Sequence, residues 1–159
     1  MKHLKKLTER LEEGKDLSLA YFQTRRSHEK AIARLKKRVE LILEQPNKYF
    51  LTYTIAPHKE HVKPEHIYRK IKETALANAS QYVINPDKGS NNNRLHFHCV
   101  ASFDYPLDYV NYIKLYPYGS INIKKIYNTD YKALTEYVAK VQNHAIKDTA
   151  MKISYSRRK

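Results

Sequence analysis

Two histidines stand two residues apart in RLHFHCV, and a tyrosine and a lysine stand three apart in YVAK. His96 and His98 lie in an apolar run that reads as a β-strand. Strand side chains alternate, so both imidazoles project from one face, about 7 Å apart along the strand, while Phe97 takes the other. Two imidazoles so placed can converge on one ion. A lone His-x-His is also an ordinary feature of a half-solvated sheet face, so the pair needs further ligands to mean more. An ion with an open position wants a carboxylate too. Asp87, nine residues before His96 across an intervening turn, is the nearest acidic candidate, with Gln81 and Glu60 as weaker substitutes. In Pro-Asp-Lys-Gly an aspartate also serves simply as a turn residue. Tyr137 and Lys140, three apart on a helix, share a face. A phenol with a free pKa near 10 is a poor nucleophile until a cation or metal favours the phenolate. Lys140 can supply that cation or neutralise charge on a phosphate, although a tyrosine with a snorkelling lysine is also common helix surface.

The chain around these residues is strongly basic: 30 lysines and arginines against 16 acidic residues, a net charge of +14. Such a surface seeks polyanions, nucleic acid first. A metal beside a polycation points to phosphodiester chemistry, in which the ion polarises a nonbridging oxygen. A membrane surface would attract the same charge, but no apolar run approaches the roughly 18 residues of a spanning helix. No signal peptide opens the chain, and the expectation is a soluble, cytoplasmic protein. The single cysteine, Cys99, cannot form an internal disulfide and is expected to pack as a small hydrophobe. Fourteen tyrosines and no tryptophan fit base stacking or a tyrosine-rich core equally well. No phosphate-cradling GxxxxGK loop is present, so any unwinding would fall to another protein.

The length of 159 residues suits one compact domain with an appendage. Residues 1–46 read as a basic helical extension. Leu4, Leu7 and Leu11 keep one face, Gly14 interrupts, and Ile32, Leu35, Val39 and Ile42 resume at helical spacing. It is either an arm for DNA or a second copy, or a pair of amphipathic helices lying on the main domain. Pro46 marks a boundary. Residues 47–147 then alternate: a strand at 48–55, a helix opened by Pro64, a strand at 81–85, and a polar turn. A strand at 94–103, a short helix from Pro106 to about Lys114 and a strand at 120–127 follow. A last helix, capped by Asn128 or Thr129, carries Tyr137 and Lys140. Residues 148–159 form a basic tail expected to be mobile. This order predicts an α+β domain with a mostly antiparallel sheet.

Taken together, FLTYTI (50–55), LHFHCV (95–100) and YVAK (137–140) resemble the three motifs of the HUH endonuclease superfamily, in particular the rolling-circle replication initiators of small single-stranded DNA viruses, phages and plasmids. The resemblance covers residues 48–146 and implies a ferredoxin-like, RRM-like fold. It implies one divalent ion, Mn or Mg, held by His96, His98 and an acidic third ligand. Asp87 stands where such initiators usually place glutamate. Tyr137 would attack the scissile phosphate and Lys140 would help orient it, leaving a 5′-phosphotyrosine and a free 3′ hydroxyl. The bond energy kept in that link would let the strand be rejoined without ATP. Arg94, Lys132 and Tyr53 are the candidate DNA contacts. Partners would be single-stranded DNA near an origin hairpin and a host helicase and polymerase, with a homodimer left open.

Neighbouring readings stay open. Conjugative relaxases carry the tyrosine before the histidine motif, where Tyr21 lies, but here without the additional histidine. Single-tyrosine transposases of insertion sequences share the length and motif order, yet more often offer glutamine where Lys140 stands; Gln142 and Asn143 are close by. A noncatalytic ferredoxin-like nucleic-acid-binding module would use the aromatic strands to stack bases and leave the histidines incidental.

Overall fold

A computed structural model of the protein describes residues 17–88, 94–127 and 154–156. The chain runs through α1 (Leu17–Leu43), β1 (Lys48–Ile55), a 3-10 turn (Pro57–Lys59), α2 (Pro64–Glu73) and β2 (Ala79–Lys88). It continues through β3 (Leu95–Phe103), α3 (Tyr109–Ile113), β4 (Gly119–Lys125) and β5 (Ser154–Tyr155). The five strands form one sheet in the order β4-β1-β3-β2-β5, with every neighbouring pair antiparallel. This is the expected α+β architecture. The placing of β1 and β3 at the centre, each followed by a helix, is compatible with a ferredoxin-like arrangement.

The central strands form where β-branched and aromatic residues alternate with polar ones. In β1, Tyr49, Leu51, Tyr53 and Ile55 are buried and the residues between them are half-buried. These four pack with Phe97, Cys99, Ala101 and Phe103 of β3, and α2 covers them with Ile67, Tyr68 and Ile71. Tyr112 and Tyr116, from α3 and the turn after it, complete the same core. Five of the fourteen tyrosines, Tyr49, Tyr53, Tyr68, Tyr112 and Tyr116, are thus buried in this core.

A second, smaller core lies on the opposite face. Leu35, Val39, Ile42 and Leu43 of α1 pack on Val83 of β2 and Val100 of β3. The amphipathic spacing of that helix delivers these side chains to the sheet, each worth about 1.5–3 kcal/mol when fully buried. Residues 35–43 therefore belong to the fold of the sheet domain. They cover part of the face that also carries the histidines. The chain leaves α1 through Asn47, whose φ of 50° asparagine tolerates, and whose carbonyl accepts from Phe103 N at 3.1 Å.

Several boundaries differ from expectation. α2 stops at Glu73, where the Thr74 hydroxyl bonds the Lys70 carbonyl at 2.7 Å and competes with continuation of the helix. Ala75 and Leu76 stay buried beyond its end. α3 begins at Tyr109, capped by the Asp108 carboxylate, which accepts from Asn111 N at 3.4 Å. β2 continues past the predicted strand end through Pro86, Asp87 and Lys88. Since β5 pairs only with Val83 and Ile84, Pro86 has no outer ladder bond to lose. The C-terminal segment was expected to be a mobile tail, but Ser154–Tyr155 forms β5 on the free edge of β2. Ser156 exchanges bonds with the backbone of Tyr82 at 3.0 Å each way. An unpaired strand edge offers a row of donors and acceptors, and the segment takes them up.

Gly119 opens β4 directly against β1. A Cβ placed there would lie 1.9 Å from the Thr54 carbonyl oxygen and 2.7 Å from Ala56 N. Neither backbone atom can turn aside as a side chain would. Gly119→Ala is expected to lower unfolding free energy by about 1–3 kcal/mol, measured by urea titration, because the two strands must separate to admit the methyl group.

Candidate functional site

The register of the three central strands builds the site. On the face not covered by α2, His98 lies across from Thr52 of β1 and Asn85 of β2, and His96 lies across from Thr54 and Asp87. The expected sharing of one face by the two histidines is thus observed, with ring centroids 6.2 Å apart. Asp87 sits in a strand beside them, not in a turn. Its Oδ2 is 3.3 Å from His98 Nε2. Behind the rings, Thr54 Oγ1 is 3.1 Å from His96 Nδ1 and Thr52 Oγ1 is 3.4 Å from His98 Nδ1. Phe50 stacks on His98 at a centroid distance of 6.1 Å.

The donor set of two imidazoles and a carboxylate suits a divalent ion. With Nδ1–H donated to its threonine, each histidine would offer the Nε2 lone pair a metal takes, the usual supporting arrangement around metal-bound histidine. In that tautomer His98 Nε2 and Asp87 Oδ2 both present lone pairs across 3.3 Å. That is close to the separation of about 3 Å between two ligands of one ion. Without a cation, the other tautomer satisfies both groups: Nε2–H donates to Asp87 and the Thr52 hydroxyl donates to Nδ1. The trio is only partly assembled in this arrangement. Among the described residues no three histidine, cysteine, aspartate or glutamate side chains converge as a cluster able to enclose an ion.

Burial lowers the pKa of His98 below the ordinary imidazole value, against the pull of the Asp87 charge, with His96 adding to the lowering. His98 is therefore uncharged at neutral pH, the form in which an imidazole binds metal. Asn85, its neighbour on β2, is buried at 2% exposure, and its Nδ2 has no hydrogen-bond acceptor among the described residues.

The histidines open into a cleft of about 560 Å³ whose floor and walls are Phe50, Thr52 and Thr54 of β1, His96 and His98 of β3, and Ser120, Ile121, Asn122 and Lys124 of β4. None of these described lining residues is acidic. Gln81 lies across from Ser102, four positions along β3 from His98, and Glu60 is exposed at the end of the 3-10 turn. Neither lines the cleft. Arg94 is half-buried just before β3. Tyr137, Lys140 and Lys132 lie outside the described residues.

Tyr53 corrects an expectation. Proposed as a DNA contact, it is 0% exposed, because odd positions of β1 point into the α2-side core. Its hydroxyl pairs with that of Tyr112 at 2.7 Å, and burial raises its pKa well above the usual phenol range. Cys99, as expected, is buried on that same side, its thiol pKa pushed up by desolvation. Sequence reasoning missed Thr52, Thr54 and the β4 wall. The Thr-x-Thr of FLTYTI was a visible signal, since it repeats the polar alternation of His-x-His, but only the register shows that the two rows meet.

No protein-family model matches the chain, and no curated protein matches it. Among solved structures, the crystal structure of the hypothetical protein ORF119 from Sulfolobus islandicus rod-shaped virus 1 is similar, with a TM-score of 0.51 and 23% sequence identity. The match covers 75% of this chain and 99% of that one. At this identity the likeness carries the fold: an α+β domain built on an antiparallel sheet. No helix among the described residues is long and apolar enough to cross a membrane.

Tyr53→Phe is expected to cost about 1 kcal/mol of stability through the lost hydroxyl pair, measured by thermal melting. For His98 the folded pKa lies below the unfolded value near 6.5, so between the two the unfolded chain binds more protons. The contribution of neutral His98 is present above that value and lost as pH falls through the window. A pH series of urea titrations should show stability declining below about pH 6.5, with a shallower decline in His98→Asn.

Proposed function

We propose that the chain cuts and rejoins single-stranded DNA through a covalent phosphotyrosine and so initiates rolling-circle replication. The observation that carries this reading is the sheet face where two neighbouring histidines are each backed by a threonine, with the Asp87 carboxylate against His98 and in register with His96. A second support is a cleft whose described lining residues include a lysine and no acid, in a chain of net charge +14, which suits a polyanionic strand.

His96, His98 and Asp87 would hold one divalent ion, Mn or Mg, which when bound supplies positive charge to the nonbridging oxygens of a phosphate. Thr52 and Thr54 orient the imidazole rings, and with Nδ1–H donated to each hydroxyl would leave both Nε2 atoms for the ion. Tyr137 serves as nucleophile: its oxygen bonds to phosphorus as the bond from phosphorus to the 3′ oxygen breaks, and that oxygen leaves as a hydroxyl after taking a proton. Lys140 balances charge on tyrosine or phosphate. Attack by a 3′ hydroxyl on the phosphotyrosine reverses the step and restores an intact strand. Arg94 and Lys132 bind backbone phosphates, an origin hairpin presents the strand, and a host helicase and polymerase use the freed end.

Incubation of the protein with labelled single-stranded hairpin DNA and Mn, followed by denaturing electrophoresis, tests this reading. A covalent protein–DNA band is expected for the wild type, lost in Tyr137→Phe and reduced at least about a hundredfold in His96→Ala. A band that persists in Tyr137→Phe moves the nucleophile elsewhere. Binding without any band, across metals and hairpins, sinks the catalytic reading in favour of a noncatalytic module.

A further inference from the structure

The cleft is wider than the histidine site needs, and its far wall has a chemistry of its own. On β4, Asn122 stands in the row of Thr52 and His98, Ser120 in the row of Thr54 and His96, and Lys124 across from Phe50. Two strand spacings, about 10 Å, separate β4 from the histidine strand, so none of these side chains reaches an ion held there. An ammonium, with no lone pair, is also the wrong type to ligate it. Ser120, Asn122 and Lys124 have no side-chain hydrogen bond or ion pair with any other described residue. They line an open cleft on a strand at the sheet's edge, with the Phe50 ring on the floor beside them.

That combination matches a nucleotide. An ammonium is a point charge for phosphate. A primary amide offers a donor and an acceptor side by side, the pattern that reads the edge of an unpaired base. We propose that the β4 wall is the subsite for a nucleotide flanking the scissile phosphate, with Lys124 on its backbone phosphate and Asn122 on its base edge. This makes Asn122 a determinant of sequence preference near the nick. The inference rests on reading the same cleft as a single-stranded DNA site.

Lys125 supplies an internal control. It follows Lys124 in β4, carries the same charge and points to the opposite face, where its Nζ lies 5.5 Å from the centre of the Tyr127 ring. Unspecific attraction to a polycation weighs both lysines alike, whereas a subsite weighs only Lys124. The test is fluorescence anisotropy of the full chain with Mn and labelled single-stranded oligonucleotides varied at one position at a time, over a range of salt concentrations. Lys124→Gln should raise Kd about tenfold and reduce the magnitude of the log–log salt slope by about 0.7, while Lys125→Gln changes Kd less than about twofold. Asn122→Ala should keep the salt slope and erase a base preference of about tenfold at a single position. Equal effects of Lys124→Gln and Lys125→Gln, unchanged base preference in Asn122→Ala, or no binding of any oligonucleotide by the wild type would each overturn the subsite. A wild type that binds with this pattern but forms no covalent band overturns the nicking reading and leaves the subsite standing.

Discussion

The register of β3 between β1 and β2 is the constraint on which the remaining structure depends. Side chains alternate along a strand, so a slip of one residue would carry His96 and His98 into the α2-side core and expel Phe97 and Cys99 from it. Burying two imidazoles there without partners would cost several kcal/mol, as would exposing the core residues. The apolar set on one face thus holds the polar set on the other in place. The precision of the site is inherited from the packing of residues that never touch it.

Unequal covering of the second face decides where chemistry is possible. α1 reaches the sheet through Leu35, Val39, Ile42 and Leu43 and seals Val83 and Val100. Two residues earlier on β3, at His98, the apolar surface gives way to polar side chains. The result is an imidazole buried enough to stay neutral yet bordering an open cleft. Complete cover would have closed the cleft, and no cover would have left His98 an ordinary surface histidine. The short strand β5 ties these layers together at the sheet's edge. Ser154 Oγ lies 3.0 Å from the Tyr68 hydroxyl and 3.2 Å from Lys72 Nζ of α2, while the Arg38 guanidinium of α1 lies 5.7 Å from the centre of the Tyr155 ring.

Much of this was legible in the residues. Alternation in KYFLTYTI and LHFHCVASF marks both central strands and places the two histidines on one face, and the spacing of Leu35, Val39 and Ile42 marks a helix that needs a surface to lie on. Boundaries were less legible. Pro86 and Asp87 carry turn chemistry, yet pairing with β3 extends β2 through them. Ser154–Tyr155 has too little local signal to be read as a strand and becomes one only because β2 offers an edge. Tyr53 shows the same limit from the other side: an aromatic residue in a basic chain fits a stacking role until its face is known.

The types and periodicity of the residues determine which side chains share a face, since strand and helix geometry is local: His96 with His98, Thr52 with Thr54, Ser120 with Asn122 and Lys124. Which of those rows lie side by side, and so whether Asp87 meets His98 and a threonine backs each imidazole, depends on pairings between segments tens of residues apart. Those pairings follow from the burial of a whole core. No single stretch of the chain encodes them, and only the tertiary structure decides them.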